Sequence, residues 1–111
     1  ELIDLYPTIC EVMDIPVPTH CQGYSLKPIL EETETRVREA ALTVHQKGKK
    51  TQFLLRTSQY AYMEYPDGSA ELYDMSVDPL QTKNLAAAPS ETARIRELSA
   101  ALSELRKTHD L

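Results

Sequence analysis

The sequence predicts an α+β fold: about four antiparallel strands in a meander, packed by a C-terminal helix and preceded by a short N-terminal helix. Three observations carry that expectation. Between residues 40 and 74 lie four short runs rich in apolar and aromatic residues, broken by polar turn residues, as half-buried strands require. Pro66-Asp67-Gly68-Ser69 separates two of them, and Asp-Gly supplies the positive φ angles of a tight hairpin. Near the end, Ile95, Leu98, Leu102 and Leu105 recur at helical spacing.

Residues 4 to 14 suit a short helix. Asp4 is placed as its N-cap, and Pro7 falls in the first turn, where a missing N–H costs little. Leu5, Ile9, Val12 and Met13 share one face. Ile15-Pro16-Val17-Pro18 stops the helix, because a residue before proline is pushed out of the α region. A loop with a short apolar turn, Leu26 to Leu30, follows, then a polar stretch from Glu31 to Arg38 that reads as exposed. The strands are expected at Ala40 to His45, Gln52 to Thr57, Tyr60 to Tyr65 and Ala70 to Asp74, with Lys47 to Lys50 as the first turn. In the third, Tyr60, Tyr62 and Glu64 alternate with Ala61, Met63 and Tyr65. The last helix runs from Pro89 or Ser90 to about Lys107, with Pro89 and Glu91 suited to its start. Residues 1–30 therefore read as a helix and loop, and residues 31–111 as an α+β subdomain.

A chain of 111 residues buries roughly two-thirds of its unfolded surface on folding. The formal net charge of −5 argues against a nucleic-acid partner, which needs a basic footprint. No apolar run approaches the roughly 20 residues that span a bilayer, so no membrane partner is expected. The opening Glu1-Leu2-Ile3-Asp4 has no initiator Met and enters an amphipathic segment at once, as an internal cut would.

Little in the residues themselves amounts to chemistry. Asp74-x-Ser76-x-Asp78 has the opening spacing of a calcium loop, but Pro79 and Leu85 stand where an EF-hand needs Gly and Glu. A turn whose carboxylates bond local amides is the expected use. Cys10, His20 and Cys21 are metal-ligand types, yet three ligands with an adjacent His-Cys pair suit a tetrahedral site poorly; two unpaired, partly buried thiols are expected. Ser25 lacks the second Gly of a nucleophile elbow. His45, at a strand end, and Arg56, able to grip a carboxylate in a forked contact, are the two candidates for facing a substrate. Against them stand an ordinary strand-end histidine and an internal salt bridge. The group Tyr60, Tyr62, Tyr65 and Tyr73 offers a sugar platform, or simply cross-strand ring packing. No catalytic residue and no metal ligand is assigned.

Three blocks, in order, carry a family resemblance. They are Glu1-Leu2-Ile3-Asp4-Leu5-Tyr6-Pro7-Thr8-Ile9 with Gln22-Gly23-Tyr24-Ser25-Leu26-Lys27-Pro28-Ile29-Leu30; Leu55-Arg56-Thr57-Ser58-Gln59-Tyr60-Ala61-Tyr62; and the run from Glu71 to Ala86, Glu-Leu-Tyr-Asp-Met-Ser-Val-Asp-Pro-Leu-Gln-Thr-Lys-Asn-Leu-Ala. Together they resemble the C-terminal part of sulfatases, in the alkaline-phosphatase-like superfamily, nearest the iduronate-2-sulfatase branch.

The resemblance implies a sulfuric ester hydrolase acting on sulfated carbohydrate, in which this segment is structural and helps shape the substrate pocket. It implies calcium and a formylglycine made from Cys or Ser in a Cys/Ser-x-Pro/Ala-x-Arg segment for the parent enzyme. Neither belongs here: Cys10 is followed by Glu-Val-Met-Asp and Cys21 by Gln-Gly-Tyr-Ser. The partner is then the upstream catalytic domain of the same polypeptide, and family habit suggests a periplasmic or secreted protein. Without that domain, an uncovered first helix or sheet face should be apolar and prone to self-association. The rival readings are a free-standing protein-interaction module and the same subdomain of a phosphodiesterase or phosphonate hydrolase.

Overall fold

In the computed structural model, which describes residues 1–111, the first of two units, Glu1–Glu39, opens with a 3₁₀ turn at Leu2–Asp4. The turn runs straight into α1, Leu5–Val12. Helix α1 closes with Asp14 in the left-handed region, φ 55°, while the Ile15 amide reaches back to the Cys10 carbonyl at 2.8 Å. This Schellman-type closure satisfies carbonyls that the final turn leaves open, and Ile15-Pro16 prevents any continuation. A second, four-residue helix, α2, spans Lys27–Leu30.

Asp4 departs from its expected role. It stands at the N-cap position of α1, yet its side chain does not cap the helix. Instead the carboxylate is 1% exposed and accepts from the Glu1 nitrogen at 2.8 Å, from the Tyr24 amide at 2.8 Å, and from Arg38. Arg38 also pairs with Glu1 and lies over the Tyr24 ring, 4.8 Å from its centroid. The polar stretch before the first strand is thus exposed only in part: Glu31 to Arg36 are exposed, and Arg38 turns inward to close a clasp. Thr8 extends the network, donating to the Asp4 carbonyl and accepting from the Leu26 amide at 2.8 Å. At Gly23 the loop passes close over the 3₁₀ turn that precedes α1. A Cβ built there would stand 2.0 Å from the Ile3 carbonyl oxygen, so no larger residue fits without moving backbone.

The second unit, Ala40–Leu111, is the predicted α+β layer. Its strands are β1 Ala40–Lys47, β2 Lys50–Thr57, β3 Tyr60–Glu64 and β4 Ala70–Asp74, in the order β1-β2-β3-β4 and antiparallel throughout. The first hairpin is tighter than expected, because the strands run on to the facing pair Lys47 and Lys50. Gly48, at φ 63°, makes that two-residue turn possible. Helix α3, Thr92–Thr108, follows a 3₁₀ turn at Pro89–Glu91.

One cross-strand row, Leu42, Leu55, Tyr62 and Leu72, runs across the sheet. Three of its members meet Leu98 and Leu102 of α3 in the core. Ile95 and Leu105, the ends of the predicted stripe, pack at its edge. Two cations flatten on rings beside it: Arg106 lies 4.0 Å from the Phe53 centroid and Arg94 4.9 Å from Tyr60, so their stems cover apolar surface as well as carrying charge. The Tyr62 hydroxyl and Ser99 Oγ both donate to Glu64 Oε1, at 2.9 and 2.6 Å. Burial, reinforced by the Glu64 carboxylate, pushes the Tyr62 phenol up to about 12.

Beyond β4 the chain is fastened by Asn84. The Leu72 amide donates to Asn84 Oδ1 at 3.0 Å, and the Leu72 carbonyl accepts from the Leu85 amide at 2.8 Å. Asn84 Oδ1 also accepts from the Ala86 amide at 2.9 Å. Side chain and backbone together supply the partners that a further strand would give to this edge. Asn84→Ala leaves the amide of a fully buried core residue unpaired. It is expected to lower the stability of the second unit by about 1–3 kcal/mol, read as a lower urea midpoint at unchanged slope.

Candidate functional site

Alternation along the strands sends one set of side chains into the core and the other to the face away from α3. Two rows define that outer face: Ala41, Arg56, Ala61 and Tyr73, then Thr43, Leu54, Met63 and Glu71. Glu71 organises it. Its carboxylate accepts from the Tyr73 hydroxyl at 2.8 Å and from the Tyr65 hydroxyl at 3.0 Å. Tyr73 is raised by that hydrogen bond, and Tyr65 by burial and then by the same carboxylate. Both phenols therefore stay neutral donors through the physiological range. The four tyrosines divide: Tyr60 and Tyr62 belong to the core face, Tyr65 and Tyr73 to the outer face.

A shallow hollow of about 170 Å³ opens on this face, its floor formed by Leu54 and Met63 and its wall by Tyr65, Thr43, Gln52 and His45. His45 is exposed on β1 and faces Gln52. Arg56 lies on the same face but four residues further along β2, roughly 13 Å at the usual strand rise. The two sequence candidates share a face and do not meet in one site. Arg56 forms no ion pair; its Nη1 is buried and has no hydrogen-bond partner, and Ala61, which faces it on β3, is 1% exposed. The arrangement is a surface with hydrogen-bonding groups around an apolar floor.

The other motifs have structural uses. Asp74 Oδ1 accepts from the Ser76 amide at 2.9 Å and from the Ser76 hydroxyl. Asp78 accepts from the Thr82 amide at 3.0 Å, the Thr82 hydroxyl at 3.0 Å and the Lys83 amide at 2.9 Å. These bonds hold both carboxyls below the usual carboxylate range. They shape the loop into successive side-chain turns and occupy oxygens a cation would use. No group of three His, Cys, Asp or Glu side chains is placed to hold a metal ion. Cys10 is buried, Cys21 half-buried, and both are free thiols. Ser25 Oγ accepts from the Lys27 amide at 3.1 Å at the start of α2, a local turn and not an activated nucleophile. No helix is long and apolar enough to cross a membrane.

A four-stranded antiparallel meander backed by one helix, its polar groups engaged in turns, edge contacts and ring hydroxyls, defines an α+β domain. Residues 1–108 match the family model for "N-sulphoglucosamine sulphohydrolase, C-terminal", and the chain belongs to that family of sulfatase C-terminal segments. Among curated proteins it is similar to arylsulfatase K of Rattus norvegicus, 32% identical over 100 residues, covering 78% of this chain and 17% of that protein. Among solved structures it is similar to a 2-O GAG sulfatase, with a TM-score of 0.85 and 30% identity over 95% of this chain and 24% of that one. The phosphonate monoester hydrolase of Agrobacterium radiobacter shares the fold more distantly, with a TM-score of 0.78 and 25% identity over 96% of this chain and 24% of that one. The chain thus spans about a fifth of the length of the relatives it matches.

Proposed function

We propose that the complete polypeptide hydrolyses sulfate esters of carbohydrate, and that this chain is its C-terminal subdomain, structural in itself and presenting the outer face of its sheet toward the substrate pocket. The observation that supports this most is a family match running almost end to end through a chain with no assembled nucleophile. On this reading His45 and Gln52 offer hydrogen-bonding groups to a sugar, and the Tyr65 hydroxyl, whose proton is given to Glu71, offers its oxygen as an acceptor. Arg56, half-buried on the same face, is a positive charge to hand for an anion.

The calcium and formylglycine that the family implies do not fit the residues present here. The carboxylates of the Asp74–Asp78 loop are engaged by amides and hydroxyls, and neither cysteine stands in the required segment. Both groups belong to the upstream part. The likeness to a phosphonate monoester hydrolase keeps one rival in view, a change of ester on the same scaffold. The discriminating experiment offers the complete polypeptide a 2-O-sulfated glycosaminoglycan disaccharide, an aryl sulfate and an aryl phosphonate. Release of sulfate at a rate at least a hundredfold above phosphonate cleavage is the expected result. The opposite preference would replace this reading with the rival one.

A further inference from the structure

We propose that the tip of the β1–β2 hairpin, with Lys47, Lys49 and Lys50, is an anion-binding extension of the outer face that grips a further sulfate or carboxylate of a sulfated carbohydrate chain, at a distance from the bond that is cut. This rests on the outer face meeting the substrate, and it narrows the substrate to a chain with several negative charges. Charge along the polypeptide is segregated. Residues 40–63 carry Lys47, Lys49, Lys50 and Arg56 but no Asp or Glu, within a formal net charge of −5. Elsewhere cations meet carboxylates: Lys27 with Glu31, Arg36 with Glu39, Arg94 with Glu97 and Lys107 with Glu104. The three tip lysines are exposed and none forms an ion pair. Asp67, on the β3–β4 turn, feels the charge of Lys50, yet its Oδ1 is held by the Ser69 amide and hydroxyl at 2.9 and 2.6 Å.

Register makes the arrangement costly. Lys47 faces Lys50 across the hairpin, and like charges directly opposite destabilise a sheet. Strand alternation puts both on the outer face, two residues beyond the facing pair His45 and Gln52. A lysine on an edge strand guards against edge-to-edge pairing, which accounts for Lys47 on β1. It does not account for Lys49 in the turn or Lys50 on β2. A local rule broken without structural return marks a place where function sets the sequence.

The surroundings choose the ligand. Gln52, His45 and the Tyr65 oxygen rim an apolar floor of Leu54 and Met63, so a sugar ring can lie beside the charge. A single-stranded nucleic acid needs aromatic platforms along its groove, and residues 44–50 include no Phe, Tyr or Trp. Lysine is a compact point charge on a flexible stem, able to meet a tetrahedral sulfate from several directions. Six residues of β2 separate Lys50 from Arg56, roughly 20 Å at the usual strand rise. No single sulfate reaches both cationic ends of the face; an extended chain does.

The complete polypeptide and its triple variant Lys47→Gln, Lys49→Gln, Lys50→Gln test this on two substrates, a singly charged aryl sulfate and a 2-O-sulfated glycosaminoglycan octasaccharide. The lysines are exposed, so the variant should keep the circular dichroism and melting temperature of wild type. For the octasaccharide, KM is expected to rise at least fivefold with kcat within twofold of wild type. For the aryl sulfate neither constant should move more than twofold. Added salt should raise the octasaccharide KM of wild type more steeply than that of the variant, because screening removes an attraction the variant lacks. An unchanged octasaccharide KM would overturn the proposal and leave the tip a solvated turn. An equal rise for both substrates would overturn it too, by placing the lysines at the reacting group. So would tighter lysine-dependent binding of a single-stranded oligonucleotide, or of phosphatidylserine vesicles, than of the octasaccharide. The functional assignment is read separately. If neither substrate releases sulfate but the octasaccharide binds through the lysines, the assignment falls and the anion site stands; sulfate release with a lysine-independent KM does the reverse.

Discussion

Leu102→Ala is expected to destabilise the second unit by about 3–5 kcal/mol, the range for truncating a leucine that leaves an unfilled cavity. Leu102 is 0% exposed and packs among Leu55, Tyr62, Leu72 and Leu98, themselves close to fully buried. The sheet pairs strand to strand in register and cannot follow the shortened side chain inward, so little of the lost volume closes. A unit of this size holds roughly 4–10 kcal/mol in all, so the variant should lose from about a third to all of its stability. Urea titration followed by far-ultraviolet circular dichroism checks the figure, with the exposed Val77→Ala as a control expected within about 0.5 kcal/mol of wild type. A loss below about 1 kcal/mol for Leu102→Ala would mean the core is not where it is described.

Asp4→Asn is the second large effect, about 3 kcal/mol on the first unit. Removing one partner of a buried pair leaves the other charge uncompensated, at roughly 3–5 kcal/mol; the lower end applies because Glu1 still faces Arg38. The loss carries a pH signature. Burial alone would raise the Asp4 carboxyl, but the hydrogen bonds from the Glu1 nitrogen and the Tyr24 amide, with the charge of Arg38, outweigh it and hold the group below the usual range. A folded pKa below the unfolded one means that the unfolded chain takes up the proton first as pH falls. The contribution of Asp4 is therefore complete above the ordinary value of about 3.9 and disappears as pH drops through the lowered folded value. Wild type and Asp4→Asn should differ fully at pH 7, and the difference should shrink as pH falls below about 3.9. A difference independent of pH would assign the effect to shape and not to charge.

These two residues also show what the sequence made legible and what it did not. Leu102 was readable because a helical stripe repeats every three or four residues, and the sheet because alternation and an Asp-Gly turn are local. The parity within β3 separated Tyr60 and Tyr62 from Met63 and Tyr65 correctly for the same reason. Asp4 reads as a helix cap because a cap is the local use of an aspartate before a helix. Its actual partner, Arg38, lies 34 positions away in a polar stretch with no periodicity to mark it. Asn84 and Gly23 are of the same kind. One completes the edge of β4 across 12 positions, the other admits a backbone crossing, and neither leaves a pattern that a window of neighbours reveals.

The outer face was legible in part. Alternation places His45 and Arg56 on one side of the sheet, but their separation along β2 follows from register, which pairs His45 with Gln52 and Ala41 with Arg56. What made the chain recognisable was the order of its turn and edge motifs, Asp-Leu-Tyr-Pro-Thr, Asp-Pro and Asn-Leu. The structure gives each of these a mechanical task.

The central claim is that this chain supports a sulfatase reaction whose chemistry is carried by preceding residues. Sulfate release from an aryl sulfate, measured at equal concentration for the 111-residue chain and for the complete polypeptide, tests it most directly. The complete polypeptide should turn over and the short chain should show no rate above buffer; turnover by the short chain would contradict the account.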